Sequence, residues 1–257
     1  MDRSPTPGDG IRFALGTLTV LPVRVTRWDR AAARAGMACA PLAGAVVGLA
    51  AAAVGGVLLA CGASALLAAV ATVATGAVLT RGLHLDGLAD VADGLGSAKP
   101  ADEALRIMKR SDIGPFGVVT LVFVLLAQIA SVARLFGVSW TVGAAAVVMS
   151  ALVARGALTL ASREGVAAAR PEGLGAAVAG TVPRGTAWGV AVLVVAAAVV
   201  AGLAGPLAVF AVGAVAGLCA AELLLRHCVR RFGGVTGDVF GALAEAAATC
   251  ALVVAAL

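Results

Sequence analysis

Charge is the scarcest property of this chain of 257 residues, of which only 13% are Asp, Glu, Lys or Arg. Soluble domains carry about 25%. With 61% hydrophobic residues and a mean hydropathy of +1.04, that shortage excludes a soluble globular domain and leaves a polytopic membrane protein. Cysteine is sparse and unpatterned. Cys39, Cys61, Cys219, Cys228 and Cys250 are odd in number, with no CxxC or other metal-binding spacing. They read as small buried apolar residues rather than ligands. The first forty residues carry Arg3, Arg12, Arg24, Arg27, Arg30 and Arg34 but no cleavable apolar core of the usual form, so no signal peptide is expected. No internal repeat is evident. The net charge of +5 does not argue for nucleic acid, because the arginines gather between apolar runs, where they signal topology.

Long apolar runs are what the chain has instead. A bilayer crossing needs about 20 apolar residues. Seven segments qualify, at 41–60, 63–80, 117–136, 140–160, 187–204, 206–225 and 239–257. The run 11–23 is too short and ends at Pro22, which predicts a short interfacial or re-entrant helix. Connections near 61–62, 137–139 and 205 hold no Lys or Arg, whereas 1–40, 81–116, 161–186 and 226–238 hold seventeen of the nineteen. The exceptions, Arg134 and Arg155, fall inside spans and read as structural. Basic and neutral loops alternate, so the positive-inside rule places the N-terminus and every long polar loop in the cytoplasm and the C-terminus outside. Trp140 and Trp188 fall at span starts, as an aromatic belt requires. The expectation is an all-α, multi-pass helical bundle, one membrane domain over 1–257, with its chemistry on the cytoplasmic face. Abundant Ala and Gly suit tight helix packing, although gene base composition would produce the same bias. Residues 164–186, with Pro171 and Pro183, read as a flexible loop.

The few charges are concentrated. Asp86, Asp90 and Asp93 stand at i, i+4 and i+7, on one face of a helix. Like charges so placed repel unless a cation holds them, and hard carboxylate oxygens suit one or two Mg²⁺ ions shared with substrate phosphates. The plain alternative is a solvated acidic helix end. Gly87 and Gly94 leave room for a bulky substrate. His84 is a candidate general base or phosphate contact, or else a structural hydrogen-bond partner. Residues 102–110 have helical character up to the breakers Gly114 and Pro115. Arg106, Lys109 and Arg110 would share one side there, following Lys99. With Arg81 they would clamp a pyrophosphate, although positive-inside charge accounts for them nearly as well. Asp112 would pair with its basic neighbours or join the metal site. A third group is Gly233-Gly234-Val235-Thr236-Gly237-Asp238, with Glu245 on the same face as Asp238. Backbone N–H groups near Gly237 suit a phosphate. Asp238 alone is explained by the helix dipole; Glu245 within a span is not. Glu222 and Arg226, at i and i+4, pair.

Together these stretches resemble the cobalamin synthase family, also called adenosylcobinamide-GDP ribazoletransferase. The resemblance rests on RGLHLDGLADVADGLGS at 81–97, IMKRSDIGPFG at 107–117 and GGVTGDVFGALAE at 233–245, with FALGTLTVLPV at 13–23 and APLAGAVVGL at 40–49. Two departures stand out. Lys109-Arg110-Ser111-Asp112 stands where the family more often reads Lys-Asp-Ser-Arg, so no role carries over to Arg110 or Asp112. Gly16-Thr17-Leu18-Thr19 stands where Leu-Thr-Arg is expected before Leu21-Pro22. The resemblance implies that α-ribazole, or its 5′-phosphate, meets adenosylcobinamide-GDP. A phosphodiester forms, GMP leaves, and Mg²⁺ is the cofactor. It implies Asp86, Asp90, Asp93 and Asp238 on the metal, with His84 as base beside the catalytic aspartates. Arg81, Arg106, Lys109, Ser111 and Gly237 would then hold phosphate. The lipid bilayer is the other partner, nucleic acid is not, and self-association into a homo-oligomer stays open. A CDP-alcohol phosphotransferase is the nearest rival, but Gly94-Leu95-Gly96-Ser97 follows Asp93 where that pattern wants Ala-Arg. A divalent cation transporter is the rival of another class.

Overall fold

A computed structural model describes residues 6–204 and 207–257. The described residues form twelve α-helices and no strand. The first is α1 (Pro7–Leu18), opened by a capping box in which Asp9 N–H donates to the Thr6 hydroxyl and Thr6 N–H to the Asp9 carboxylate. It is the short helix expected near 11–23, although it stops at Leu18, before Pro22. A second short helix, α2 (Arg30–Ala38), lies in a stretch that reads in sequence only as basic; Asp29 caps it through Ala31 and Ala32 N–H. Then come α3 (Ala40–Ala60), α4 (Ala65–Leu79), α5 (Leu83–Gly96), α6 (Ala101–Ile107), α7 (Pro115–Val138), α8 (Trp140–Ala161), α9 (Gly173–Val178), α10 (Arg184–Ala201), α11 (Leu207–Phe232) and α12 (Gly237–Ala256).

Six of these, α3, α7, α8, α10, α11 and α12, are long and apolar enough to cross a membrane. The expected span at 63–80 is different. Its helix α4 has 15 residues, or about 22 Å at 1.5 Å per residue, short of a hydrocarbon core of about 30 Å. The chain then bends by 88° into α5, and only the bent pair together makes a seventh candidate. The bend is written in two consecutive left-handed residues, Arg81 (φ 56°) and Gly82 (φ 68°). Glycine takes that conformation freely, whereas for Arg81 it costs about 1–2 kcal/mol. Gly82 N–H closes the turn on Ala77 C=O at 2.8 Å, and Val20 N–H bonds Leu79 C=O at 2.8 Å, so the tail of α1 holds the break from outside. Its effect is to swing the aspartate run out of line with α4.

The segment 164–186 is not a loose loop. It contains α9 and is stitched to its surroundings by Glu164 N–H to Val182 C=O (2.8 Å), Ala169 N–H to Val235 C=O (2.9 Å) and Val235 N–H to Ala167 C=O (2.9 Å). These bonds fix it against the turn before α12. The helical character expected through Arg110 ends at Ile107, so Arg106, Lys109 and Arg110 do not share a helix face.

The bundle is organised around α8, the most deeply buried of the six long helices. Close approach is what allows this. A Cβ on Gly44 would stand 2.4 Å from the Ala151 carbonyl oxygen, so α3 lies on α8 backbone to backbone. Within a bilayer such small-residue contacts replace the hydrophobic effect as the source of packing. Glu222 sits between Arg163 (2.9 Å) and Arg226 (2.8 Å), so the expected i, i+4 pair is joined by a third member from the far end of α8. Large apolar side chains such as Phe123, Leu193 and Leu223 stay exposed on the rim, where lipid takes the place of water. Replacing Gly44 by Val should cost about 1–3 kcal/mol through forced separation of α3 and α8. A lowered thermal unfolding midpoint in detergent is the readout. Gly185→Ala, where nothing lies within 4 Å, should leave the midpoint unchanged.

Candidate active site

Helix α5 carries the acidic run, but its three aspartates do not act alike. Asp93 is buried, and its two carboxylate oxygens are taken by backbone amides: Gly114 N–H at 2.7 Å and Gly117 N–H at 2.9 Å. Helix α7 begins with Gly114-Pro115 and has no capping side chain of its own. Asp93 supplies the cap from another helix, and its charge sits at the positive end of the α7 dipole. Asp86 and Asp90 instead line an open cavity of about 590 Å³ with Arg81, Arg110, Ser111 and Asp112. Of the expected phosphate ligands, Arg81 and Ser111 are therefore in place. Arg106 turns back to the Asp102 carbonyl at 3.3 Å, and Lys109 pairs with Glu172 at 3.1 Å, so neither lines this cavity. Arg110 and Asp112, to which no role carries over by resemblance, do.

Gly87 decides what faces the carboxylates. A Cβ there would lie 2.6 Å from the Asp238 carbonyl oxygen, so α5 presses directly on the first turn of α12. Thr236 caps α12 and donates its hydroxyl to Asp238 at 3.1 Å. Asp86 and Asp238 then border a second, more enclosed pocket of about 180 Å³, whose lining includes Gly237 and His84. Asp86 and Leu83 belong to both cavities, which meet there.

Arg170 also belongs to the site. Its guanidinium stands 3.7 Å from Asp238 and donates to the Leu105 carbonyl, which ties α6, the 164–186 segment and α12 together. No spacing rule points to it. The basic residues of that segment read as topology signals, and only the stitching of 164–182 onto α12 brings this one to the carboxylates.

Glu245, one turn and more above Asp238, faces elsewhere. It accepts from Gln128 Nε2 at 2.8 Å in a small chamber of about 90 Å³ that Arg155 and His84 also line. Gln128 also donates to Thr249 at 2.9 Å. Arg155, expected inside a span, is buried on α8, and its Nε has no hydrogen-bond partner among the described residues.

The electrostatics follow from crowding. Helix α5 lies outside the six long spans. Burial, then the charges of Asp238, Asp86 and Asp93, push the Asp90 carboxyl from the ordinary 3.8 up to about 7, while Arg170 pulls the other way. Because the folded value is the higher one, Asp90 costs stability as pH rises from about 4 towards 7. Burial, and next the Arg155 guanidinium, push His84 down to about 3, so its imidazole is neutral. No three His, Cys, Asp or Glu side chains converge tightly enough to form a complete metal cage among the described residues. Asp86, Asp90 and Asp238 offer part of an oxygen ligand set, which suits an ion that keeps waters or substrate oxygens in its shell.

Residues 10–256 match the cobalamin-5-phosphate synthase family. The adenosylcobinamide-GDP ribazoletransferase of Frankia casuarinae is 42% identical, over 96% of this chain and 94% of that protein. Those of Nocardioides sp. (41%, 95% of this chain and 96% of that one) and Corynebacterium efficiens (39%, 100% and 96%) are similar to it over equal lengths. No solved structure matches the chain. A kinship that runs from α1 to the end of α12, through the acidic helix, its partner at the start of α12 and the turn between α6 and α7, makes the chain a member of the cobalamin-5-phosphate synthase family.

Proposed function

We propose that this protein joins the two halves of cobalamin. It transfers the adenosylcobinamide-phosphate unit of adenosylcobinamide-GDP to α-ribazole or α-ribazole 5′-phosphate, with GMP released. The observation that carries the reading is the apposition of the α5 carboxylates to the first turn of α12, beside a cavity edged by Arg81 and Arg110. A ribose hydroxyl of the acceptor attacks the phosphorus nearer the corrinoid. The new P–O bond forms as the bond to the bridging oxygen breaks, and that oxygen leaves on GMP with the electron pair. Arg81, Arg110 and the Ser111 hydroxyl bind the diphosphate. Asp90, whose carboxyl holds a proton more readily than an ordinary aspartate, takes the hydroxyl proton. Asp93 acts through position, by fixing α7 and the preceding 110–114 turn onto α5.

Mg²⁺ fits this reading. Asp86 and Asp90 face the cavity with no salt bridge among the described residues, and carboxylate with phosphate oxygen is the donor set this ion prefers. Asp86 and Asp238 would hold it, Asp90 completing the acidic face. Bound there, it would neutralise charge on the transferring phosphate and on the departing GMP. The concentration of basic residues in alternate loops supports a cytoplasmic location for the site, in a bacterial inner membrane.

Purified protein in lipid should release GMP and form the completed corrinoid only with Mg²⁺ present. Full turnover after exhaustive chelation would remove the metal from the reading. Asp90→Asn should lower turnover about 100-fold or more while leaving expression and membrane insertion intact. Asp93→Ala should behave differently. Loss of its two amide contacts should cost about 1.5–3 kcal/mol of stability, seen as a lowered unfolding midpoint and poor yield.

A further inference from the structure

The enclosed pocket beside Asp86 is chemically unlike the open cavity on its other side. Leu18, Met37, Leu158 and Phe240 wall it, and Leu174 and Val178 of α9 close it from the 164–186 segment. At about 180 Å³ it is smaller than the roughly 300–1,000 Å³ of pockets for drug-sized ligands. That excludes a corrin ring and suits one planar bicyclic ring. Two polar side chains of its lining, Asp86 and His84, make no hydrogen bond to any described residue. His84 is 7% exposed and stands between this pocket and the chamber of Arg155 and Glu245, bordering both. A buried polar group left so is expected to find its partner in a ligand or water.

We infer that this pocket holds the aromatic base of the acceptor nucleoside, with a His84 ring N–H donating to the unsubstituted ring nitrogen of that base. The inference rests on the transferase reading above and adds to it the acceptor's position. The base stacks among Leu18, Met37, Leu158 and Phe240 under the roof of α9. The attached ribose then emerges at Asp86, where the two cavities meet and its hydroxyl faces the diphosphate. The donor's corrinoid stays outside, in or beyond the open cavity. Base identity is read by the size of an apolar slot and one hydrogen bond, and Leu174, far from the reacting phosphorus in sequence, becomes a specificity-determining residue.

Steady-state kinetics of the lipid-embedded protein separate the outcomes. Leu174→Trp, which fills the slot from its roof, should raise the KM for α-ribazole about tenfold or more and leave that for adenosylcobinamide-GDP within about twofold. The riboside of a single-ring base such as imidazole should lose less than α-ribazole does. His84→Leu should also raise the acceptor KM about tenfold, and His84→Gln, which keeps a donor, should recover part of it. On the unsubstituted protein, free dimethylbenzimidazole should inhibit competitively against the acceptor and not against the donor, a result that depends on no variant folding. Competition against the donor, or an acceptor KM unmoved in folded Leu174→Trp protein, would overturn the assignment. Absence of any product from the unsubstituted protein would instead overturn the transferase reading itself.

Discussion

A carboxylate surrounded by hydrocarbon is tolerable only when something answers its charge, and the arrangement of this bundle follows from how each acidic group is answered. Asp93 is satisfied by two amides at the start of α7, an arrangement that joins two helices at no cost in further side chains. Asp238 draws on Thr236 and Arg170, and Glu222 on Arg163 and Arg226. Glu245 is met by neutral donation from Gln128. Asp86 and Asp90 have no salt bridge among the described residues and face an open cavity. Asp112, in the same cavity, has no ion pair among the described residues either, so three carboxylates that the protein leaves unpaired gather where an outside cation or a reacting proton would belong.

The geometry depends on backbone features as much as on charge. The left-handed pair Arg81-Gly82 turns α5 by 88° from α4, and Gly87 lets it settle on α12 with no side chain between. A straight continuation of α4 would carry Asp86 and Asp90 away from Asp238. The strain at Arg81 is thus spent at a residue whose own side chain edges the cavity, and the Val20–Leu79 bond from α1 holds it. Local strain and site composition meet in one residue.

Apolar length and loop charge made the bundle, six of its long spans and the short α1 legible, because those properties are additive along the sequence. The acidic run and the Gly237–Asp238 group were legible for the same reason: they are local. What escaped was pairwise and distant. Helical spacing puts Asp86, Asp90 and Asp93 on one face, yet nothing in it says that Asp93 meets the end of another helix 21 residues on. Lys109 and Arg106 had the composition of phosphate ligands, but α6 ends at Ile107 and sends them elsewhere. Arg170 lay in a stretch whose Pro and Gly read as looseness. Backbone bonds to Val235, more than sixty residues away, make it rigid, and no periodicity encodes them.

The charges around the open cavity also bear on how a reaction there must be ordered. Two guanidiniums, Arg81 and Arg110, face three carboxyl groups, Asp86, Asp90 and Asp112. With all of them ionised the lining is net negative, and a nucleotide diphosphate is itself an anion. At separations of about 4 Å, like charges near a protein surface repel by several kcal/mol at an effective dielectric of about 20. The proposed substrate would therefore be poorly received by the empty cavity, while the proposed divalent ion beside Asp86 would reverse the sign of the lining. Metal and diphosphate would then bind with mutual support, each reducing the repulsion that the other meets. The same crowding that raises the proton affinity of Asp90 would give the proposed cation its hold, so in that reading acid–base chemistry and affinity for the donor have one electrostatic origin.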